Sequence, residues 1–454
     1  MKRRIVVLGG GISGYGSAIL AKKKGFDTFL SDMGKIADRF KARLDEWSVE
    51  YEEGGHTEEK ILSADEVIKS PGIPDTAPIV RKLRERGVPI ISEIEFAGRY
   101  KGVAKTICIT GSNGKTTTTS LIYKIMKDAG RAVSLGGNIG ESFAYSVATG
   151  KYFWHVLELS SFQLDGMFKF RADVGVLMNI TPDHLDRYDY KLENYARSKM
   201  RITQNQTSTD AFIYSADDPV TQQMLDTMDA TLRARQLPFA INTAIASGAG
   251  DALLEGHNFT ATVGSKSVTI DTRKMKISGM HNIYNAMAAA LATLAAGVQP
   301  RIIKNSIYEF SPVEHRLEPS GEHNNILWIN DSKATNVDSV WYALESMQRP
   351  TVWIAGGTDK GNDYAPLKEF ARQKVKALIC MGVDNSKLLR DFDGIVPIIR
   401  DCHTLDEAMS AARECALSGD AVLLSPACAS FDLFKNYEER GRLFKEWVKE
   451  NILK

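Results

Sequence analysis

The run Thr110-Gly111-Ser112-Asn113-Gly114-Lys115-Thr116-Thr117 carries the densest chemistry in this sequence. Glycines let backbone N–H groups curl around phosphate oxygens, and a helix N-terminus, a lysine and a hydroxyl complete such an anion site. Lys115 is expected to meet phosphate and Thr116 a magnesium ion, with Gly111, Ser112, Asn113, Gly114 and Thr117 forming the rest of the cradle. The strict phosphate-loop pattern asks for glycine at position 109, where Ile109 stands, so the match is to a variant, T-G-x-N-G-K-T-T. A tight strand-to-helix turn with an exposed lysine is the plainer alternative. The apolar run Thr106 to Ile109 before the loop and a helical pattern to about Ala129 after it favour the nucleotide site.

Acidic and imidazole groups close two further apolar runs. Glu158 ends Val156-Leu157-Glu158, and His184 lies in Asn179-Ile180-Thr181-Pro182-Asp183-His184. Strands of this kind are expected to adjoin the phosphate loop in one sheet. Ligands at the carboxyl ends of parallel strands share their rim with bound nucleotide, so Glu158 and His184 are candidates for a second magnesium. A lone histidine is more often a satisfied structural residue. Lys199, in Tyr195-Ala196-Arg197-Ser198-Lys199-Met200-Arg201, reads by itself as a solvated lysine on a cation-rich helix.

Gly9-x-Gly11-x-x-Gly14, with Asp32 closing the next apolar run, has the spacing of a dinucleotide-binding turn. The same geometry suits NAD, the diphosphate and sugar of any other nucleotide, or a purely structural turn. Ser70, in Lys69-Ser70-Pro71-Gly72-Ile73-Pro74, is either another phosphate contact or part of a Pro-Gly turn. Further on, polar loops follow three apolar runs: Asn330 to Asn336, Gly356 to Gly361 and Ser425 to Asp432. Three such loops at strand carboxyl ends make one binding edge, although any single one also reads as a plain connector.

The elements that must position these groups repeat one rhythm, a short β-branched run, a polar or glycine-rich turn, then a helical pattern, which is that of parallel α/β units. It restarts at Ile5, at Thr106 and, after Ser311-Pro312, at Ile326, with further buried strands expected at Val352 to Ala355, Ala377 to Cys380 and Val422 to Leu424. Domain boundaries are expected near Gly98 to Lys105 and Phe310 to Glu314. A chain of 454 residues, 43% hydrophobic and 25% charged, is long enough for several cores. Its 57 Lys and Arg against 56 Asp and Glu leave a net charge of +1, which offers no broad attraction for nucleic acid or an anionic membrane. Five scattered cysteines without a C-x-x-C pair suit a reducing compartment. The apolar run Ile5 to Leu8 is too short for a secretory signal, and no membrane span is expected.

Taken together the segments resemble the Mur ligases over essentially the whole chain. The phosphate loop, Gly137-Asn138-Ile139-Gly140, the Glu158 and His184 segments, Met280-His281-Asn282, His315-Arg316 and Asn330-Asp331-Ser332-Lys333 all recur in that family. Gly356-Gly357-Thr358-Asp359-Lys360-Gly361 and Ser425-Pro426-Ala427-Cys428-Ala429-Ser430-Phe431-Asp432 look like the members that add D-glutamate. The Asp-Asn-Pro-Arg sequence used for a diamino acid does not occur, which favours D-glutamate.

The resemblance implies an α/β protein of three domains: a Rossmann-like N-terminal domain over 1–100, a central P-loop-type ATPase domain over 101–312 and a Rossmann-like C-terminal domain over 313–454. It implies a cytoplasmic monomer that joins D-glutamate to UDP-N-acetylmuramoyl-L-alanine through an acyl phosphate, using ATP and two magnesium sites, without nucleic-acid partners or membrane insertion. Lys115 and Arg316 would bind ATP phosphates, Thr116 and Glu158 the first magnesium, Asn138 and Asn282 the adenine region and Asp331 the ribose. Lys199 matches a carbamylated lysine that, with His184 and Glu158, would complete the second magnesium site; Lys115, His184 and Lys199 would be catalytic. Ile12, Ser13, Asp32, Ser70 and Gly72 would hold the uridine diphosphate end. Thr335, Lys360, Ser430, Phe431 and Tyr437 would surround D-glutamate, with Tyr437 standing where phenylalanine is expected. Closure of the third domain is expected to assemble the site. Three rivals remain: a folylpolyglutamate synthase or another Mur enzyme, a nicotinamide oxidoreductase built on the first glycine motif, and a nucleotide-binding regulator without catalysis.

Overall fold

Apolar, β-branched runs pair side by side into three sheets in the computed structural model of the chain, which describes residues 2–183, 185–228, 232–241, 251–277, 279–311, 314–359 and 361–453. Strands buried on both faces read as continuous apolar runs, and parallel order needs a crossover between neighbours. The first sheet has β1 (Arg4–Leu8), β2 (Asp27–Asp32), β3 (Glu50–Glu53), β4 (Glu66–Lys69) and β5 (Ile90–Ile91), all parallel, in the order β3-β2-β1-β4-β5. The winding reverses between β1 and β4, and a crevice opens at the carboxyl ends of strands at such a switch point. The Gly9 turn follows β1 and the Ser70 turn follows β4, so both sequence motifs flank that crevice.

The second sheet contains β6 (Lys105–Thr110), β7 (Val133–Gly137), β8 (Trp154–Glu158), β9 (Val174–Leu177), β10 (Ala211–Ser215), β11 (Arg235–Ala240), β12 (Ala252–Glu255), β13 (Asn258–Val263) and β14 (Lys266–Asp271). Its order is β14-β13-β12-β11-β10-β9-β6-β8-β7, parallel from β7 to β12, with β13 and β14 antiparallel. β6 therefore lies between β8 and β9, as expected of strands that carry Glu158 and the segment leading to His184. The last two strands lie outside the parallel rhythm of the sequence. In β13, buried Phe259 and Ala261 alternate with exposed Asn258 and Thr260, as in a sheet with one covered face.

The third sheet contains β15 (Glu318–His323), β16 (Ile326–Asn330), β17 (Thr351–Gly356), β18 (Val375–Met381), β19 (Ile398–Cys402) and β20 (Ala421–Ala427) in the order β15-β16-β20-β17-β18-β19, with only β15 antiparallel. The four strands expected from the sequence are β16, β17, β18 and β20. By contact the chain divides into two units, Met1–Met275 with Tyr284–Phe310, and Lys276–Ile283 with Ser311–Lys454. The first two sheets thus share one unit. Among the described residues no helix is long and apolar enough to cross a membrane.

Helix on helix joins the first two sheets. The helix Ile12–Lys23 crosses the helix Phe143–Thr149 through Gly16, where a Cβ would stand 1.8 Å from Ser142 Oγ and 3.0 Å from the Tyr145 backbone nitrogen. Overpacking of this kind costs about 1–3 kcal/mol. Gly16→Ala is expected to lower the urea midpoint by that measure at an unchanged m-value; an unaltered midpoint would mean that the two helices separate without loss.

Candidate functional site

The phosphate loop leaves β6 at Thr110 and enters the helix Lys115–Asp128. Gly111 and Gly114 have φ of 143° and 83°, values that L side chains rarely adopt, and a Cβ at Gly114 would meet Asn285 Oδ1 at 2.5 Å. The loop is pinned from β9: Ser112 donates to the Thr181 carbonyl at 2.8 Å, and the Asn113 N–H donates to Asn179 Oδ1 at 2.9 Å. Lys115 folds over the loop, its ammonium 2.7 Å from the Gly111 carbonyl and 2.8 Å from that of Ser112. Thr116 and Thr117 are buried at the head of the helix.

Lys199 converges on the same atom. It lies on the helix Leu192–Met200, only 1% exposed, and its Nζ is 2.8 Å from the Gly111 carbonyl and 4.4 Å from the Tyr195 ring centroid. Read in isolation, a cation-rich helix suggests a solvated lysine; the fold buries it. Burial, and after it the charge of Lys115, holds its pKa well below the usual lysine value, which favours the neutral amine. Tyr195, whose hydroxyl lies 3.4 Å from Ser112 Oγ, was not singled out from the sequence. Its signal was there in the i, i+4 spacing to Lys199 on a helix.

Glu158 ends β8, 1% exposed. One carboxylate oxygen, Oε1, accepts from the Asn138 side-chain amide at 2.8 Å, while Oε2 is buried with no hydrogen-bond partner. The Asn138 N–H also donates to the Glu158 carbonyl at 2.8 Å, so the Gly137 turn is tied to this strand end by backbone and side chain alike. An orphaned buried carboxylate oxygen is costly unless something occupies it. His184 lies outside the described residues.

At the first-sheet crevice four glycines divide by role. A Cβ at Gly9 would meet Ser70 Oγ at 2.6 Å and one at Gly14 the Gly9 carbonyl oxygen at 1.8 Å, whereas Gly11 and Gly72 face open space. The first two are demanded by packing and the second two leave room for a ligand. Asp32 is committed to the turn, accepting from the Gly10 N–H at 2.5 Å and the Gly34 N–H at 2.7 Å. Ser70 Oγ is buried without a partner. Ile12 is exposed, and beside it a cavity of about 160 Å³ is lined by Tyr15, Arg39, Phe40, Arg43 and Glu141. Arg43 pairs with Glu141 at 2.9 Å and also donates to the Tyr15 hydroxyl, which in turn donates to Glu141.

In the second unit the three polar loops follow β16, β17 and β20, which are neighbours, and they are bonded to one another. The Ala427 N–H donates to the Ala334 carbonyl at 3.0 Å and the Thr358 N–H to that of Ala429 at 2.8 Å. Arg440, 1% exposed, donates to the carbonyls of Ser332 at 2.9 Å and Cys428 at 3.3 Å, a clamp that the sequence did not announce because its partners lie 108 and 12 positions away, respectively. Thr335 is part-buried, Ser430 buried, Phe431 69% exposed, and Tyr437 opens the helix Tyr437–Asn451 with its ring 5.3 Å from Lys333 Nζ. Lys360 lies outside the described residues.

Asp331 is buried, accepts from the Leu317 N–H at 3.2 Å and from Ser425 Oγ at 2.8 Å, and burial pushes its carboxyl up to about 7. Arg316 sits between two residues of positive φ, His315 at 63° and Leu317 at 40°, and its Nε is buried without a partner. Non-glycine residues in that region are strained, and such strain gathers at functional sites. Asn282 is buried beside His281, whose pKa falls to about 4 through burial and then the charge of Arg316.

Residues 109–293 match the family model of the Mur ligase middle domain, residues 315–428 that of the Mur ligase, glutamate ligase domain, and residues 4–78 that of the MurD N-terminal domain. The UDP-N-acetylmuramoylalanine–D-glutamate ligase of Bacteroides fragilis is 54% identical over 449 residues, 99% of this chain and 100% of that protein. The enzyme of the same name from Christiangramia forsetii is 51% identical over 450 residues, again 99% and 100%. Among solved structures, the UDP-N-acetylmuramate-alanine ligase MurC of Thermotoga maritima superposes with a TM-score of 0.63 at 19% identity, covering 99% of this chain and 100% of that one. MurF of Acinetobacter baumannii gives 0.63 at 14% identity, with 98% and 93% covered. At these identities the solved structures bear on the fold alone, and that fold is the three-sheet α/β architecture.

Proposed function

This chain belongs to the Mur ligase family, and from that premise we infer that it joins D-glutamate to UDP-N-acetylmuramoyl-L-alanine in an ATP-dependent ligation of peptidoglycan precursor synthesis. A carboxylate is a poor acyl donor. Its oxygen attacks the γ-phosphorus of ATP, ADP leaves, and the amine of D-glutamate then attacks the acyl carbon, releasing phosphate and a proton. Catalysis of such a transfer is positioning and electrostatics. The reaction takes place in the cytoplasm, where both nucleotides are at hand.

The observation that carries the division of roles is the meeting of Lys115 and Lys199 on the Gly111 carbonyl. Lys115 and the loop from Gly111 to Thr117 bind the ATP phosphates, and Lys115 neutralises the transferring group. Arg316, Asn282 and Asp331 serve the rest of ATP. Lys199, whose pKa burial lowers, adds its neutral amine to carbon dioxide, forming an N–C bond and releasing a proton, and becomes an oxygen donor. Ile12, Ser13, Ser70 and Gly72 take the uridine diphosphate end, with Asp32 shaping the turn beneath it. Thr335, Lys360, Ser430, Phe431 and Tyr437 receive D-glutamate.

Magnesium fits this donor set. Glu158 Oε2 is a buried oxygen lacking a partner, and hydroxyl, carboxylate and carbamate are hard oxygen ligands of the kind magnesium prefers. Thr116 and Glu158 would hold one ion; Glu158, His184 and carbamylated Lys199 the second. Bound there, the metal draws negative charge from the phosphoryl group.

Asn138 belongs with Glu158 rather than with adenine, because its amide fixes Oε1 and turns Oε2 free. Groups that orient a metal ligand typically change metal affinity about 10–100-fold when removed. Asn138→Ala is expected to weaken manganese binding, followed by electron paramagnetic resonance, by that factor, with UDP affinity unchanged. Equal manganese affinity would take Asn138 out of the metal site.

Oxygen labelling tests the chemistry. With the L-alanyl carboxylate of the nucleotide substrate carrying oxygen-18, one labelled atom per turnover is expected in released phosphate. Unlabelled phosphate would exclude the acyl phosphate.

A further inference from the structure

Two of the loops given to D-glutamate are joined by a buried polar knot that the roles above do not use. Tyr364, 1% exposed, stands between them. Its hydroxyl lies 2.8 Å from Asp359 Oδ2, 3.2 Å from the Asn362 amide nitrogen and 3.2 Å from the Sγ of buried Cys428. Asp359 and Asn362 belong to the loop that follows β17, and Cys428 to the loop that follows β20. The same Asn362 amide donates to the Ala427 carbonyl at 3.1 Å and lies 3.5 Å from Cys428 Sγ. Asp359 Oδ1 accepts from the N–H groups of Gly361 at 2.6 Å and Asn362 at 2.9 Å, with Lys387 Nζ 3.4 Å away to support the charge.

The donors and acceptors fix the direction of these bonds. A carboxylate only accepts, so the Tyr364 hydroxyl gives its single proton to Asp359. Its oxygen then accepts from the Asn362 amide and from the Cys428 thiol. The two amide protons of Asn362 are thereby taken, one by Ala427 and one by Tyr364. The chain from Cys428 through Tyr364 ends on a charge, and hydrogen bonds to charged groups are the stronger kind.

What the knot holds is strained. Ala427 has φ of 61°, a left-handed value that a non-glycine residue keeps only where its surroundings hold it there. β20 ends at this bend, and the loop bearing Ser430 and Phe431 begins. Gly357 lies against the same loop, since a Cβ there would stand 2.2 Å from the Ala429 carbonyl oxygen. On the other side, the two N–H groups held by Asp359 are those that follow Lys360 in the chain. One hydroxyl thus ties the bend before Ser430 to the turn after Lys360.

We propose that Tyr364 is a positioning residue for the amino-acid substrate, its hydroxyl setting the separation of the Lys360 and Ser430 loops and with it the length of dicarboxylate they accept. This rests on the reading that those loops receive D-glutamate. A dicarboxylate offers a charge at each end, so the spacing of the two loops, more than either loop alone, distinguishes glutamate from its neighbours one methylene shorter or longer.

Steady-state kinetics of the full chain with ATP, magnesium and UDP-N-acetylmuramoyl-L-alanine test it. Tyr364→Phe, which removes only the hydroxyl, is expected to raise the KM for D-glutamate about tenfold, the scale of one hydrogen bond to a charged group. It also narrows the preference in kcat/KM for D-glutamate over D-aspartate and D-2-aminoadipate. kcat at saturating D-glutamate and the KM values for ATP and the nucleotide substrate stay as they were. Asn362→Ala acts likewise, and the double variant loses less than the sum of the two. Phe392→Leu is the structural control, because Phe392 packs on the Tyr364 ring at 5.9 Å without touching the hydroxyl; it lowers the urea midpoint and leaves KM and preference unchanged. With a wild type that depends on D-glutamate, an unshifted KM in Tyr364→Phe, or a raised KM at unchanged preference, would overturn this proposal alone. So would a rise in KM for all three substrates together, or the same shift in Phe392→Leu, either of which makes Tyr364 a brace of the fold. Wild-type turnover that does not depend on D-glutamate would overturn the reading of the loops, and this proposal with it.

Discussion

Lys199→Ala will lower turnover on the order of a thousandfold, the scale of losing one electrostatic stabiliser of a transferring group, and acetate or propionate will restore part of it. The wild-type side chain is buried against Tyr195 with one backbone carbonyl as its partner, a poor seat for an ammonium and a good one for a neutral amine. Only the neutral amine adds to carbon dioxide, and in the proposed role the product exchanges a cation for an oxygen ligand that would share an ion with Glu158, whose Oε2 has no hydrogen-bond partner. A short carboxylate in the space left by alanine replaces that ligand without the chain. Steady-state rates with and without added carboxylate measure the effect. Turnover equal to wild type in Lys199→Ala would remove the carbamate, and a rate that no carboxylate raises would leave Lys199 as a structural brace for Gly111.

Lys115→Met should be nearly as damaging, with a loss on the order of 10²–10³ in kcat, yet it should leave UDP affinity alone, because the crevice proposed to hold that end belongs to a different sheet. The ammonium lies against the carbonyls of Gly111 and Ser112. When phosphate arrives, the charge has a better partner and the loop is already curled. Calorimetry with UDP beside single-turnover phosphate release separates the two effects. A loss of UDP binding in step with turnover would show that the substitution damages the fold and not the phosphate site.

Local pattern made much of this legible. Ile5 to Leu8, the run that Asp32 closes and the four expected strands of the third sheet all fall inside observed strands, because strands buried on both faces leave continuous β-branched runs. The phosphate loop was readable for a similar reason: a strand, positive-φ glycines and a helix head are adjacent in sequence. β13 and β14 escaped notice because half of each strand faces outward and the run is broken. By contact the first two sheets fall in one unit, and the last boundary between units lies at Phe310, within the second of the two expected boundary regions.

What stayed hidden was long-range. Glu93 meets Ser142, and Tyr15 and Arg43 meet Glu141, across sequence gaps that no window spans. Lys199 was misjudged by composition for the same reason, since a helix rich in Arg197, Lys199 and Arg201 gives no sign of which cation turns inward. Asp32 shows the reverse. Its placement at the end of β2 was readable, but its carboxylate proves to be engaged by the N–H groups of Gly10 and Gly34.

The most direct test is phosphate release from ATP with magnesium and UDP-N-acetylmuramoyl-L-alanine, run with D-glutamate, L-glutamate, L-alanine, L-lysine or meso-diaminopimelate and without any amino acid. Release that depends on D-glutamate alone, with a product whose mass matches the new amide, is the expected result. Release driven by another of these amino acids, or by none of them, would contradict the account.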